Sequence, residues 1–201
     1  RDTSVIAEFI DKPNEARGFK KLFQFFYSYL IFTDTTRILA TFGARADRPP
    51  AGGNRHAAFV KAFIAGTFGR SQWVKTRFVP WLYARLFRER PHRDLFEKYR
   101  PSVVFLSSIA FIADWEFLRE AKRRGIPTVG MACNWDHLNK YFIPWRADHL
   151  LVQNQPMARE AVELQGYAPG QIVPVGFAQF DAHARFTSRL ISRAAFFEKF
   201  G

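Results

Sequence analysis

The chain has 201 residues, 48% hydrophobic, and carries 30 Lys+Arg against 18 Asp+Glu for a net charge of +12. Length and apolar content suit one ordinary domain or part of a larger one, and the basic balance excludes an acidic disordered chain. The single cysteine, Cys133, excludes a disulfide framework and a Cys-rich zinc module, and no run of about 18 apolar residues is present to span a bilayer.

The chain opens at Arg1 without a charged-then-apolar leader, so the expected setting is a reducing cytoplasm and the chain reads as a piece of something longer. Residues 1–100 hold 19 Lys/Arg against 9 Asp/Glu, whereas residues 101–201 hold 11 against 9. Val5–Ile10 reads as a short strand. Residues 18–32 and 57–69 read as helices, separated by a loop over 45–56 with Pro49-Pro50 and Gly52-Gly53. A third helix over 72–90 is stopped by Pro91, and its apolar residues at 74, 78, 81/82 and 86 share one stripe. Rings facing a core and cations facing water account for this pattern. Two other readings are open: anionic lipid with aromatics at the acyl boundary, which is favoured, and nucleic acid, for which no recognition motif is present.

From Tyr99 the pattern changes. Val103-Val104-Phe105-Leu106 is a continuous apolar run, the signature of a strand buried on both faces. A helix over 114–124 follows, with Asp114 as N-cap, Lys122, Arg123 and Arg124 in the last turn, and Gly125 as terminator. Strands follow over 128–132, 149–153 and 172–175. Pro156, in its first turn, opens the intervening helix with Met157, Ala161 and Leu164 on one face and Gly166 at its end. Pro174 marks the last strand as an edge. This order predicts an α/β fold, a Rossmann-like parallel sheet with crossover helices over 99–186, preceded by a basic helix-rich part over 1–98. A final helix covers 188–200.

Ligands of open parallel sheets collect beyond the carboxyl ends of the strands. That rule selects Ser107 and Ser108, then Ala132–Asn139, then Gln153 and Asn154, and last Gly176–Asp181. Asn134-Trp135-Asp136-His137 is the densest polar cluster. A carboxylate beside an imidazole suits a general base and its orienting partner. The alternative is an Asx-type turn with Trp135 plugging the sheet edge. His56, His92, His149 and His183 are scattered without metal-ligand spacing, and solvent or core is expected for each. No phosphate-binding glycine loop or zinc-binding helix motif is present.

The series Lys98-Tyr99-Arg100-Pro101-Ser102-Val103-Val104-Phe105, Asp114, Ala121–Val129, Asn134-Trp135-Asp136, Asp148, Val152-Gln153-Asn154, Met157, Glu160 and Gly176–Asp181 resembles a bacterial family. It is similar to the N-terminal, acceptor-side half of GT-B-fold glycosyltransferases of surface-polysaccharide biosynthesis. These share their architecture with UDP-N-acetylglucosamine 2-epimerases and teichoic-acid polyol-phosphate transferases. The resemblance covers about residues 85–200. The family's Ser-Trp-Asp-Asn reads Asn134-Trp135-Asp136-His137 here.

The resemblance implies glycosyl transfer from a nucleotide-sugar donor, held by a C-terminal domain, to a glycan or lipid-linked acceptor, typically without a bound metal. Asp136 and His137 become the catalytic candidates. Ser107, Ser108, Asn134, Trp135 and Asn154 become substrate-binding candidates, and Gly176, Gln179, Phe180 and Asp181 line an interdomain hinge. No cofactor is expected on the chain alone. The family continues past a point like Gly201, so the donor domain is expected beyond it, and a peripheral position on the inner membrane face is expected for the basic half. The alternatives are an epimerase or polyol-phosphate transferase on the same fold, or a non-catalytic module binding membrane or nucleic acid.

Overall fold

Apolar residues recurring every three to four positions make the first half helical. The structure is a computed structural model and describes residues 6–10, 17–36, 58–177, 180–181, 185 and 191–200. It contains α1 (Phe19–Ser28), α2 (Ala58–Gly66), α3 (Val79–Leu86) and α4 (Arg93–Tyr99). A π-helical turn, Val74–Phe78, leads into α3. Pro80 accounts for it: with no N–H, it cannot bond the carbonyl of Thr76 four residues back. The Arg146 guanidinium donates to that carbonyl and to that of Lys75 instead, each at 3.4 Å.

Two expectations for this half are corrected. The helix expected to reach residue 90 ends at Leu86, because the carbonyls of Phe87 and Glu89 accept from the buried guanidinium of Arg119. Residues 6–10 form no strand, and Glu8 is instead tied to Lys98 and Tyr99. Val5 and the loop 45–56 lie outside the described residues.

The second half is the α/β, Rossmann-like sheet that its sequence predicts. β1 (Val104–Leu106), β2 (Thr128–Met131), β3 (His149–Val152) and β4 (Ile172–Pro174) lie all parallel in the order β1-β2-β3-β4. Between them run α5 (Ile112–Arg123), the short α6 (His137–Lys140) and α7 (Gln155–Glu163). Gly125 and Gly166 end α5 and α7 with φ of +66° and +73°, a conformation that costs glycine little. Asn154 caps α7, its Oδ1 accepting from the Met157 N–H at 2.9 Å. Asp114 is not the N-cap of α5. Phe111 holds that place, and the Asp114 carboxylate reaches back to accept the Phe111 N–H at 3.2 Å. The last helix, α8, spans Arg193–Phe200; residues 188–190 lie outside the described set.

β1 is buried on one face only. Strands added in sequence order by crossovers of the usual hand send every connecting helix to the same side. The register puts Leu106, Gly130, Leu150 and Ile172 in one row beneath those helices. Phe105 and Val173 point the other way and remain 55% and 44% exposed. The apolar run was read correctly as a strand, but strand order is not written in the run.

On the covered face the first-half helices form a second layer over α5. Tyr27 meets Tyr83 and Trp115 at ring separations of 6.0 and 6.2 Å. Leu118, Leu150, Met157 and Ala161 are buried with them. This double cover explains why α5 buries Glu116, Arg119 and Glu120 in mid-helix. Arg119 pairs with Glu116, which also accepts the Tyr83 hydroxyl at 3.1 Å. Glu120 takes the Arg90 guanidinium through two nitrogens and the Arg124 Nε at 2.6 Å. Those arginines outweigh its burial and hold its carboxyl down to about 2. His92 stacks on Phe117 at 3.9 Å and is buried, as core was one expectation for it, while His149 is exposed. His56 and His183 lie outside the described residues.

Candidate functional site at the carboxyl end of the sheet

All four strands point the same way, so the segments after β1, β2 and β3 reach one end of the sheet. Ser107 is exposed there, whereas Ser108 is half-buried and its hydroxyl accepts from the Ala110 N–H at 3.4 Å, a local turn contact. The chain leaves β2 through Cys133 and Asn134 into α6. Asn134 Nδ2 lies 3.3 Å from His137 Nε2. With the amide donating, the imidazole carries its proton on Nδ1, which is buried and has no hydrogen-bond partner among the described residues. Burial and the nearby Lys140 charge lower the His137 pKa against the pull of Asp136, so the ring is neutral near pH 7.

Asp136 does not orient that imidazole. Its carboxylate pairs with Lys140 one helical turn on. Asn134 takes the orienting role that the sequence pattern assigned to the carboxylate. Trp135 plugs no edge: it is 63% exposed, and Phe111, with its ring edge-on to His137 at 6.3 Å, is 61% exposed. One exposed aromatic ring, Phe111, thus lies edge-on to the imidazole, and a second, Trp135, is exposed two residues before it.

The neighbouring strand supplies Gln153, whose Nε2 donates to the Ala132 carbonyl and ties the ends of β2 and β3 together. Its Oε1 is buried without a partner among the described residues. Asn154 spends its side chain on the α7 cap. Gly176, just beyond β4, is exposed with φ +80°. The Phe180 N–H donates to the Phe177 carbonyl at 2.9 Å, with the two rings 5.2 Å apart, and Asp181 is exposed. Gln179 lies outside the described residues.

Ser107 also shares a cavity of about 540 Å³ with Asp114, beside β1 and lined in part by Ile6 and Ile10. Burial pushes the Asp114 carboxyl up to about 6 despite the Phe111 N–H bond. The two residues fall in one place because α5 begins directly above the end of β1.

The loop carrying Asn134–His137 is held from below by residues that reading the sequence missed. Gln165 is fully buried. Its Oε1 accepts the Ile143 N–H at 2.9 Å, and its Nε2 donates to the carbonyls of Leu138 (2.7 Å) and Tyr141 (2.9 Å). Thr33 and Thr36 donate to the carbonyls of Asn139 (2.6 Å) and Lys140 (2.8 Å), and Asn139 Nδ2 donates to Glu160 at 3.0 Å. A signal for Gln165 was present: Met157, Ala161 and Gln165 are four apart, so an amide continues the apolar stripe of α7 just past its end at Glu163. Nothing local marks the two threonines, more than 100 residues away in sequence.

No family model, curated protein or solved structure matches the chain.

Proposed function

We propose that the chain is the acceptor-side half of a glycosyltransferase that moves a sugar from a nucleotide-sugar donor to a glycan or lipid-linked acceptor. One observation carries this reading: at the carboxyl end of a parallel sheet the His137 imidazole has Nε2 at the Asn134 amide and the exposed Phe111 ring edge-on to it, with Trp135 exposed two residues before it. Aromatic faces suit the apolar faces of a pyranose, and a neutral imidazole suits the acceptor hydroxyl. That hydroxyl takes the place of the Asn134 amide at His137 Nε2. Its oxygen bonds to the anomeric carbon and its proton passes to Nε2. The bond from that carbon to the donor phosphate oxygen breaks, and the nucleoside diphosphate leaves with the electron pair. Asp136 and Lys140 act on the loop rather than on the proton. Gly176, Gln179, Phe180 and Asp181 are assigned to the interdomain hinge.

In the protein from the full reading frame, His137→Ala is expected to lower turnover about 100-fold or more with the melting temperature kept. Asp136→Asn should lower it by less than about tenfold, since its partner is Lys140. Transfer kinetics decide this, and wild-type rates in His137→Ala remove the imidazole from the mechanism.

A peripheral membrane position for the basic half is supported by its exposed apolar residues, among them Phe19, Phe63, Trp73 and Trp81. Among the described residues no helix is long and apolar enough to cross a membrane.

A further inference from the structure

A cavity of about 340 Å³, within the size of small-molecule sites, is lined by Lys122, Trp145, Arg146 and Gly166. Lys122 stands in the last turn of α5, which leads into β2, while Trp145 and Arg146 precede β3 and Gly166 precedes β4. All strands are parallel, so the cavity lies at their amino ends, opposite to His137. Pro80, at the start of α3, closes it from the helical layer.

Arg146 differs from the other arginines taken out of water. Arg119 is paired with Glu116, and Glu120 neutralises Arg90 and Arg124. Arg146 is half-buried and has no carboxylate partner among the described residues. Its Nη1 and Nη2 each reach one carbonyl, of Lys75 and Thr76, at a long 3.4 Å, and its Nε has no acceptor among the described residues. Gly166 leaves room beside the guanidinium, since a Cβ there would stand 3.9 Å from Arg146 Nη1. A cation partly withdrawn from water without an anion is costly, and an anion from solution removes that cost.

The local charge selects the anion. Burial pulls the Arg146 pKa down, the Tyr167 hydroxyl opposes it, and the positive charge of exposed Arg77 lowers it further, so Arg77 acts on the same place. Lys122 lines the cavity and shares its charge with Asp148 at 2.9 Å. Three cations and one carboxylate leave two positive charges, which match a phosphate monoester and exceed what one carboxylate neutralises. The guanidinium fork suits phosphate oxygens, and Pro80, Pro144 and Trp145 give apolar surface for an organic part.

We propose that this cavity binds a small organic phosphate, with the Arg146 guanidinium and Lys122 Nζ on its oxygens and Arg77 adding charge from the rim. The ligand joins the helical layer to the sheet, so binding also stabilises the fold. The site is independent of the transfer reaction proposed for His137.

The test titrates phenyl phosphate and benzoate, which share a ring and differ in charge, into the full chain. The Trp145 indole N–H signal, assigned by its loss in Trp145→Phe, reports occupancy by NMR. A saturable shift with phenyl phosphate is expected, reversed by excess inorganic phosphate and accompanied by a higher melting temperature. Benzoate should bind at least about tenfold more weakly. Arg146→Lys keeps the charge but not the fork and should weaken phenyl phosphate about tenfold. Arg77→Gln, at an exposed position, should weaken it about two- to fivefold. Equal affinity for the two probes overturns the proposal and leaves only a ring on apolar walls. An unsaturable shift, or unchanged affinity in Arg146→Lys, overturns it as well.

Discussion

Arg119→Met is expected to destabilise the protein by about 3–5 kcal/mol at pH 7, and the loss should shrink as the pH falls. The side chain is 3% exposed and serves the Glu116 carboxylate and the carbonyls of Phe87 and Glu89 together. Methionine fills similar volume but leaves a buried carboxylate without its cation. Glu116 is already raised above its ordinary value by burial, against the pull of Arg119 and the Tyr83 hydroxyl. Removing Arg119 raises it further. A carboxyl raised in the folded state contributes stability below its unfolded pKa and loses it as pH rises through the folded value. The variant's deficit is therefore greatest at neutral pH and smallest near pH 4, where Glu116 folds in its neutral form. Adding Glu116→Gln to the variant should recover part of the loss at pH 7. Urea unfolding at the two pH values measures all three quantities. A deficit independent of pH would mean that lost packing, not the stranded carboxylate, dominates.

Gln165→Leu is the second large effect, and it joins stability to the site. Leucine keeps the apolar bulk but strands the Ile143 N–H and the carbonyls of Leu138 and Tyr141. At about 1–3 kcal/mol for each buried group left unpaired, a loss of about 3 kcal/mol or more follows. The loosened segment is the one that continues directly from Asn134–His137. Amide exchange over residues 138–143 should accelerate more than exchange in β2 and β3. Uniform acceleration across the sheet would show that Gln165 supports the whole core and not this loop in particular.

How much of this was legible in the sequence depends on how local each cause is. The four strands and their parallel arrangement follow from apolar runs spaced by helix-length segments, and they were read within one or two residues. The ends of helices were legible where a glycine or an Asn cap marks them, as at Gly125, Gly166 and Asn154. They were not where a distant group decides. α3 stops at Leu86 because Arg119, some 30 residues on, takes the next carbonyls. The exposure of Phe105 depends on strand order, and the burial of Glu116 and Glu120 depends on a second helical layer, so neither is visible in its own segment. At the site, the cluster Asn134–His137 was found because strand ends collect polar residues. Its internal wiring was read wrongly: Asp136 turns to Lys140, a partner within helical reach, and leaves the imidazole to Asn134.

The proposed function requires a carbohydrate acceptor to dock at the Asn134–His137 segment, with Trp135 as its exposed aromatic ring. The most direct measurement is to follow the five tryptophan indole N–H signals by NMR while titrating methyl glycosides of hexoses and N-acetylhexosamines. A saturable shift of the Trp135 signal is expected, lost in Trp135→Phe, with Trp73 and Trp81 unmoved. A stationary Trp135 signal, with shifts confined to Trp73 or Trp81, would contradict it.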